Sequence, residues 1–176
     1  GQVDKVHKFN KPIEVLFEGV DTNIYKQTKD ILPSVKEQLD NIPEDFNFLF
    51  VGHWLSGQLG HDRKNIGYTI KTFLETFKNR TNATALILKT SHATTSIIDR
   101  EQLLTKIDSI KRSVKGKLPS IYIVHGDMTD QEINWLYNHP KVKAMVNLTK
   151  GEGFGRPLLE FSLVNKPIIT TNWSGH

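Results

Sequence analysis

FNFLFVGHWLSGQLGHDRKNIGYTIKTFLETF, residues 46–77, changes its period halfway along. Over FNFLFVG (46–52) the apolar residues run almost without a break and end on glycine. Over IGYTIKTFLETF (66–77), Ile66, Ile70, Phe73, Leu74 and Phe77 return at helical spacing. The stretch reads as strand, loop, helix, and the unit recurs downstream. ATALILK (83–89) is a second apolar run, followed by Leu103, Leu104, Ile107, Ile110 and Val114 on one helical face. SIYIVHG (120–126) is a third strand. After it TDQE (129–132) fits a capping box, Thr129 offering its hydroxyl to first-turn amides and Glu132 reaching back, ahead of Ile133, Leu136 and Tyr137. VKAMVNL (142–148) and KPIITTN (166–172) complete five strands, with a helix between them led by GEGFGRPLLE (151–160). Near-continuous apolar strands alternating with amphipathic helices predict an α/β fold, a Rossmann-like doubly wound parallel sheet covered on both faces.

The 176 residues, 38% hydrophobic and 24% charged, suffice for one domain with a core, residues 1–176. Residues 1–40 hold one short apolar run, IEVLFEGVD (13–21), and a helix around 33–39, and read as a lead-in rather than a second domain. The chain stops at TTNWSGH directly after a strand, where a doubly wound sheet would supply a covering helix, so the expectation is an incomplete piece of a longer polypeptide. There is no cysteine, which excludes disulfides and thiolate metal sites. The net charge of +4 is too small and too diffuse for nucleic acid, though it suits a small anionic ligand. No apolar run has the length of a transmembrane segment, no signal segment opens the chain, and a cytoplasmic location is expected. The sequons at Asn79, Asn82, Asn147 and Asn172 read as chance, since Asn147 ends a buried strand.

GEGFGRPLLE compresses three glycines, two carboxylates and an arginine into ten residues. Gly151, Gly153 and Gly155 lie at a strand's carboxyl end, and Pro157 suits the first turn of a helix. Free amides there favour an anion, and residues without side chains let a phosphate approach the backbone. Glu160, one turn into the helix, is placed to accept from a vicinal diol such as a ribose, and Glu152 from a second hydroxylated group. The same pattern also fits a plain strand-to-helix connection. No GxGxxG follows the first strand, which argues against a dinucleotide-binding domain.

The segment GEGFGRPLLEFSLVNKPIITTNWSG (151–175), with its Glu-x7-Glu spacing, EGFG turn and KPIITT strand leading to a glycine, resembles the signature of GT-B glycosyltransferases of the large retaining family 4. Three further stretches are similar to that family's motifs in the same order. VLFEGVDTNIYK (15–26) resembles the opening of its C-terminal, donor-binding domain, with Glu18 where an asparagine is usual. FLFVGHWLSGQLGHDRKNIGYTIKTF (48–73) resembles the strand, glycine loop and helix whose two basic residues bind the donor diphosphate. Lys64 matches the second of these, His53 stands in place of the first, an arginine, and Arg63 is a neighbouring substitute. IYIVHGDMTDQEINWLY (121–137) resembles the strand, turn and capped helix where backbone near His125 and Gly126 meets the nucleobase. The resemblance spans roughly residues 13–175.

It implies the donor half of a two-domain enzyme, lacking its last strand and helices and without the N-terminal acceptor domain. The implied reaction moves a sugar, with retention, from a UDP- or GDP-linked donor to a hydroxyl of a carbohydrate, lipid or other acceptor, using no cofactor and no metal. Lys64, with Arg63 or His53 and the turn Gly153–Phe154–Gly155–Arg156, would stabilise the leaving diphosphate. Glu152 would orient the sugar and Glu160 hold the ribose, unsymmetric roles that do not amount to a double displacement. Arg156 either meets a phosphate or is solvated, and the His125 side chain either touches ligand or simply ends a strand. Trp54 and Trp173 either stack on ligand or pack, and His61, Asp62 and Arg63 read as a mobile polar loop. A phosphorylase or epimerase of the same fold, and a non-catalytic or decayed nucleotide-sugar-binding module, stay open.

Overall fold

A computed structural model describes residues 11–54, 59–92 and 94–175. In chain order the elements are α1 (Pro33–Asp40), β1 (Phe46–Val51), α2 (Ile66–Phe77), β2 (Thr84–Lys89) and α3 (Ile97–Arg112). They continue with β3 (Ser120–Val124), α4 (Asp130–Asn138), β4 (Val142–Asn147), α5 (Arg156–Ser162) and β5 (Ile168–Thr170). The five strands form one parallel sheet in the order β3-β2-β1-β4-β5. The alternation of strand side chains divides the core in two. Leu49, Ile87 and Met145 face α1, α4 and α5, whereas Phe50, Leu86 and Leu88 face α2 and α3. Both faces are covered, which is why the central strands read as nearly unbroken apolar runs.

Most expected elements stand where the periodicity puts them, and Thr129 and Glu132 form the reciprocal capping box at the start of α4. Two boundaries differ for local reasons. Helix α3 begins at Ile97, six residues before the apolar face at Leu103, because Ser96 caps it by accepting from the Asp99 amide at 3.1 Å. Its first-turn residues Ile97 and Ile98 are exposed, so no apolar period marks that turn. Strand β5 contracts to Ile168–Thr170. The Thr170 and Thr171 hydroxyls donate to the Asn147 and Thr149 carbonyls, both at 3.0 Å, so side chains continue the attachment where the ladder stops.

The lead-in is docked against α4 from Tyr25 onward. Tyr25 is buried beside Tyr137, and the Lys26 and Thr28 amides donate to Asn134 and Asn138 at 3.1 and 2.9 Å. Among the described residues no helix is long and apolar enough to cross a membrane.

Candidate functional site

From β1 the chain winds outward through β2 and β3, then returns to β4 on the other side of β1. The carboxyl ends of β1 and β4 therefore flank the point where the winding reverses, the position of the ligand crevice in open parallel sheets. The loop after β1 carries Gly52 and His53 and ends in Arg63 and Lys64 before α2. The loop after β4 carries Gly151 to Gly155.

These two loops are stitched together. The Lys64 ammonium lies 2.5 Å from Glu152 Oε1, and the Arg63 guanidinium 3.1 Å from Glu152 Oε2. Arg63 also donates to the Gly151 carbonyl at 2.5 Å, and its own carbonyl accepts from the Lys150 amide at 3.0 Å and the Thr149 hydroxyl at 3.1 Å. The Lys64 and Glu152 side chains are 14% and 8% exposed, so the pair is largely out of water. Burial alone would push the Glu152 carboxyl up, but the hydrogen bond and charge of Lys64, then those of Arg63, outweigh it and hold the group below its ordinary 4.5.

Residues 62–65 of the polar loop are hydrogen-bonded to the rest of the fold. Asp62 is buried, and its carboxylate accepts from the Ile66 amide at 2.8 Å, meeting an orphan donor of α2. Asn65 adopts the left-handed conformation at the start of α2, φ 56°, and its amide donates to the Leu148 carbonyl at 3.0 Å. An aspartate four residues ahead of the first apolar helical position was the legible signal for this cap.

The glycine turn has its own support. Gly155 sits at φ +81°, where a side chain is strained, and leads into α5 with Pro157 in the first turn. Helix α5 has only seven residues, so loop amides rather than a long helix dipole define this end of the crevice. The segment after β5 folds back onto the turn. Ser174 donates to the Glu152 carbonyl at 2.8 Å and accepts from the Glu152 amide at 3.2 Å, while the Gly175 amide donates to the Glu152 carbonyl at 3.0 Å. Gly153 is open to solvent and Phe154 half-buried.

Other expected site residues find partners inside the protein. Glu160 is buried; Arg156 Nε lies 2.6 Å from its Oε1, and the Tyr137 hydroxyl donates to Oε2 at 3.1 Å. Burial raises the Glu160 carboxyl above its ordinary value against the pull of Arg156 and Tyr137. Arg156 also lies 3.5 Å from Asp130. The His125 ring bonds Asp99 at 2.9 Å through Nε2, and Gly126 beside it adopts φ +112°. His53 Nδ1 stands 2.9 Å from the Ser91 hydroxyl. Trp54 is settled as core, 4% exposed beneath Lys106 at 5.3 Å, while Trp173 is exposed. The site contacts of Tyr137, Asp99 and Ser174 went unread in the sequence because each is made with a partner remote in the chain.

No protein-family model matches the sequence, and no curated protein matches it. Among solved structures, the chain superposes on the C-terminal domain of a glycosyl transferase group 1 family protein (LpcC) from Francisella tularensis. The TM-score is 0.59 at 16% identity, over 86% of this chain and 70% of that one. The chain has the fold of that domain. Within this fold, the Lys64–Glu152 cluster and the glycine turn lie at the carboxyl ends of β1 and β4, where the winding reverses, and the Gly126 turn lies at the carboxyl end of β3.

Proposed function

We propose that this chain is the donor-binding half of a retaining glycosyltransferase of the family 4 type, holding a UDP- or GDP-linked sugar at the crevice between β1 and β4. The convergence of Lys64 and Arg63 on Glu152 carries the reading. Two cations and a carboxylate, drawn from loops 88 residues apart, sit where an open parallel sheet takes its ligands. As the glycosidic bond breaks, charge grows on the leaving diphosphate, and Lys64, Arg63 and the open amides of the glycine turn are arranged to meet it. His53, at the start of the loop that ends in Arg63 and Lys64, supplies a further donor. The acceptor is a hydroxyl of a carbohydrate, lipid or other molecule.

Glu152 has two tasks on this reading. Before the donor arrives, its carboxylate occupies the cations in place of phosphate; once displaced, it accepts from the sugar hydroxyls. Glu160, engaged once on each oxygen, retains lone pairs for a ribose diol. The test is calorimetric titration of the chain with UDP, GDP and ADP, beside Lys64→Ala. Saturable binding is expected, weakened in the variant by about 1.5–3 kcal/mol, the usual loss when a hydrogen bond to a charged group disappears. Equal affinity in the variant would remove Lys64 from the site.

A further inference from the structure

A cavity of 240 Å³ opens beyond His53, away from the Lys64–Glu152 cluster, between the carboxyl ends of β1, β2 and β3. Lys89, the last residue of β2, lines it together with Asp127, Met128 and Ile133. The position is unusual for a lysine. Its ammonium donates to the Gly126 carbonyl at 2.6 Å, and among the described residues it forms no ion pair. A half-buried cation left with one carbonyl partner retains donors for a ligand. Burial holds its ionisation below the ordinary lysine value, and the charge of Asp127 opposes that only in part.

The two charges restrict what fits. Asp127, exposed at the rim, disfavours a phosphate, while the half-buried Met128 and Ile133 offer apolar surface to a flat ring. A neutral heterocycle with an acceptor and donors along one edge meets the cation, the carboxylate and the apolar surface together. The cavity is below the roughly 300 Å³ at which sites for whole small molecules begin, so it suits one such ring.

We propose that Lys89 and Asp127 select guanine, making the donor a GDP-linked sugar; this rests on the nucleotide-sugar reading above. Guanine presents O6 beside N1–H and N2–H, so the ammonium donates to O6 while the carboxylate takes both N–H groups. Uracil has one N–H flanked by two carbonyls, which would leave a carboxylate oxygen facing a carbonyl. Adenine has one amino group between ring acceptors and fills only half the carboxylate.

The test is calorimetry on the chain with GDP, IDP, UDP and ADP, repeated with Asp127→Asn and Lys89→Met. IDP lacks only the N2 amino group, so the GDP/IDP ratio reads the carboxylate contact without any mutation. GDP should bind roughly tenfold or more tighter than each of the other three, with Asp127→Asn bringing GDP down to the IDP level and Lys89→Met weakening GDP by a similar factor. UDP or ADP binding as well as GDP, or a GDP/IDP ratio near one, would overturn the base assignment and leave the nucleotide-sugar reading standing. Binding of none of the four would overturn both.

Discussion

Glu152 holds two cations that the proposed reaction needs for phosphate, and that makes it a competitor of the ligand as well as a participant. Replacing it by glutamine, Glu152→Gln, should loosen its hold on Lys64 and Arg63 and tighten binding of a nucleoside diphosphate without sugar by about 1 kcal/mol, the usual net worth of a hydrogen bond exchanged for another. A calorimetric affinity that falls instead would mean that the carboxylate organises the cations rather than competing for their ligand. The same substitution has a pH signature. Because the folded carboxyl is held below its ordinary 4.5, the pair contributes fully above that value and is lost as the pH falls through the depressed one. Glu152→Gln should therefore flatten the acid limb of the stability profile. At this scale the sequence offered residue types and little of their pairing. Lys64, Arg63 and Glu152 were legible as candidates, but their contact spans 88 positions and depends on which strands end side by side. The Arg156–Glu160–Tyr137 cluster shows the same limit: the i,i+4 pair lies on one helix and was within reach of spacing rules, whereas Tyr137 comes from another.

The elements that shape the site are the two carboxyl-end loops and the segment that braces one of them. Gly175 approaches so closely that a Cβ there would fall 2.1 Å from the Gly153 carbonyl oxygen, a backbone atom that cannot rotate away. Gly175→Ala should cost about 1–3 kcal/mol of stability, the usual penalty of overpacking, and should also weaken nucleotide binding by shifting the glycine turn. Thermal unfolding and titration of one preparation check both, and an unchanged midpoint would show that the brace is dispensable. The existence of these elements was readable because helix and strand periods are local. The helix between the last two strands followed from the glycines and Pro157, and the cap of α4 from TDQE. The ties of segment 62–65, Asn65 to Leu148 and Arg63 to Gly151, were not legible because they are tertiary.

For the whole molecule, doubly wound layering was legible in the sequence because strands buried on both faces must be apolar almost throughout. The strand order was not, since parallel pairing leaves no local mark; it is the order β3-β2-β1-β4-β5 that brings the loops after β1 and β4 together. One global property follows from a half-buried lysine. Lys166 donates to the Tyr137 and His139 carbonyls at 2.6 and 2.9 Å, and burial lowers it from 10.5 to about 8. Above about 8 the folded state releases this proton before the unfolded state does, so the unfolded chain binds more protons and stability rises with pH. Lys89 adds the same sign, while the raised Tyr25 and Tyr137 oppose it only above their ordinary 10.0. Denaturation midpoints should climb between pH 8 and 10, and Lys166→Met should remove most of that climb; an equal slope in the variant would place its origin elsewhere. The central claim, a nucleotide-sugar site at the winding reversal, is tested most directly by amide chemical-shift mapping during titration with a nucleoside diphosphate. The predicted shifts cluster at 52–53, 63–64, 125–128 and 151–156, with little change along the outer faces of α1 and α3. Saturating shifts confined to α1, α3 and the β3 edge, or none in a folded sample, would contradict it.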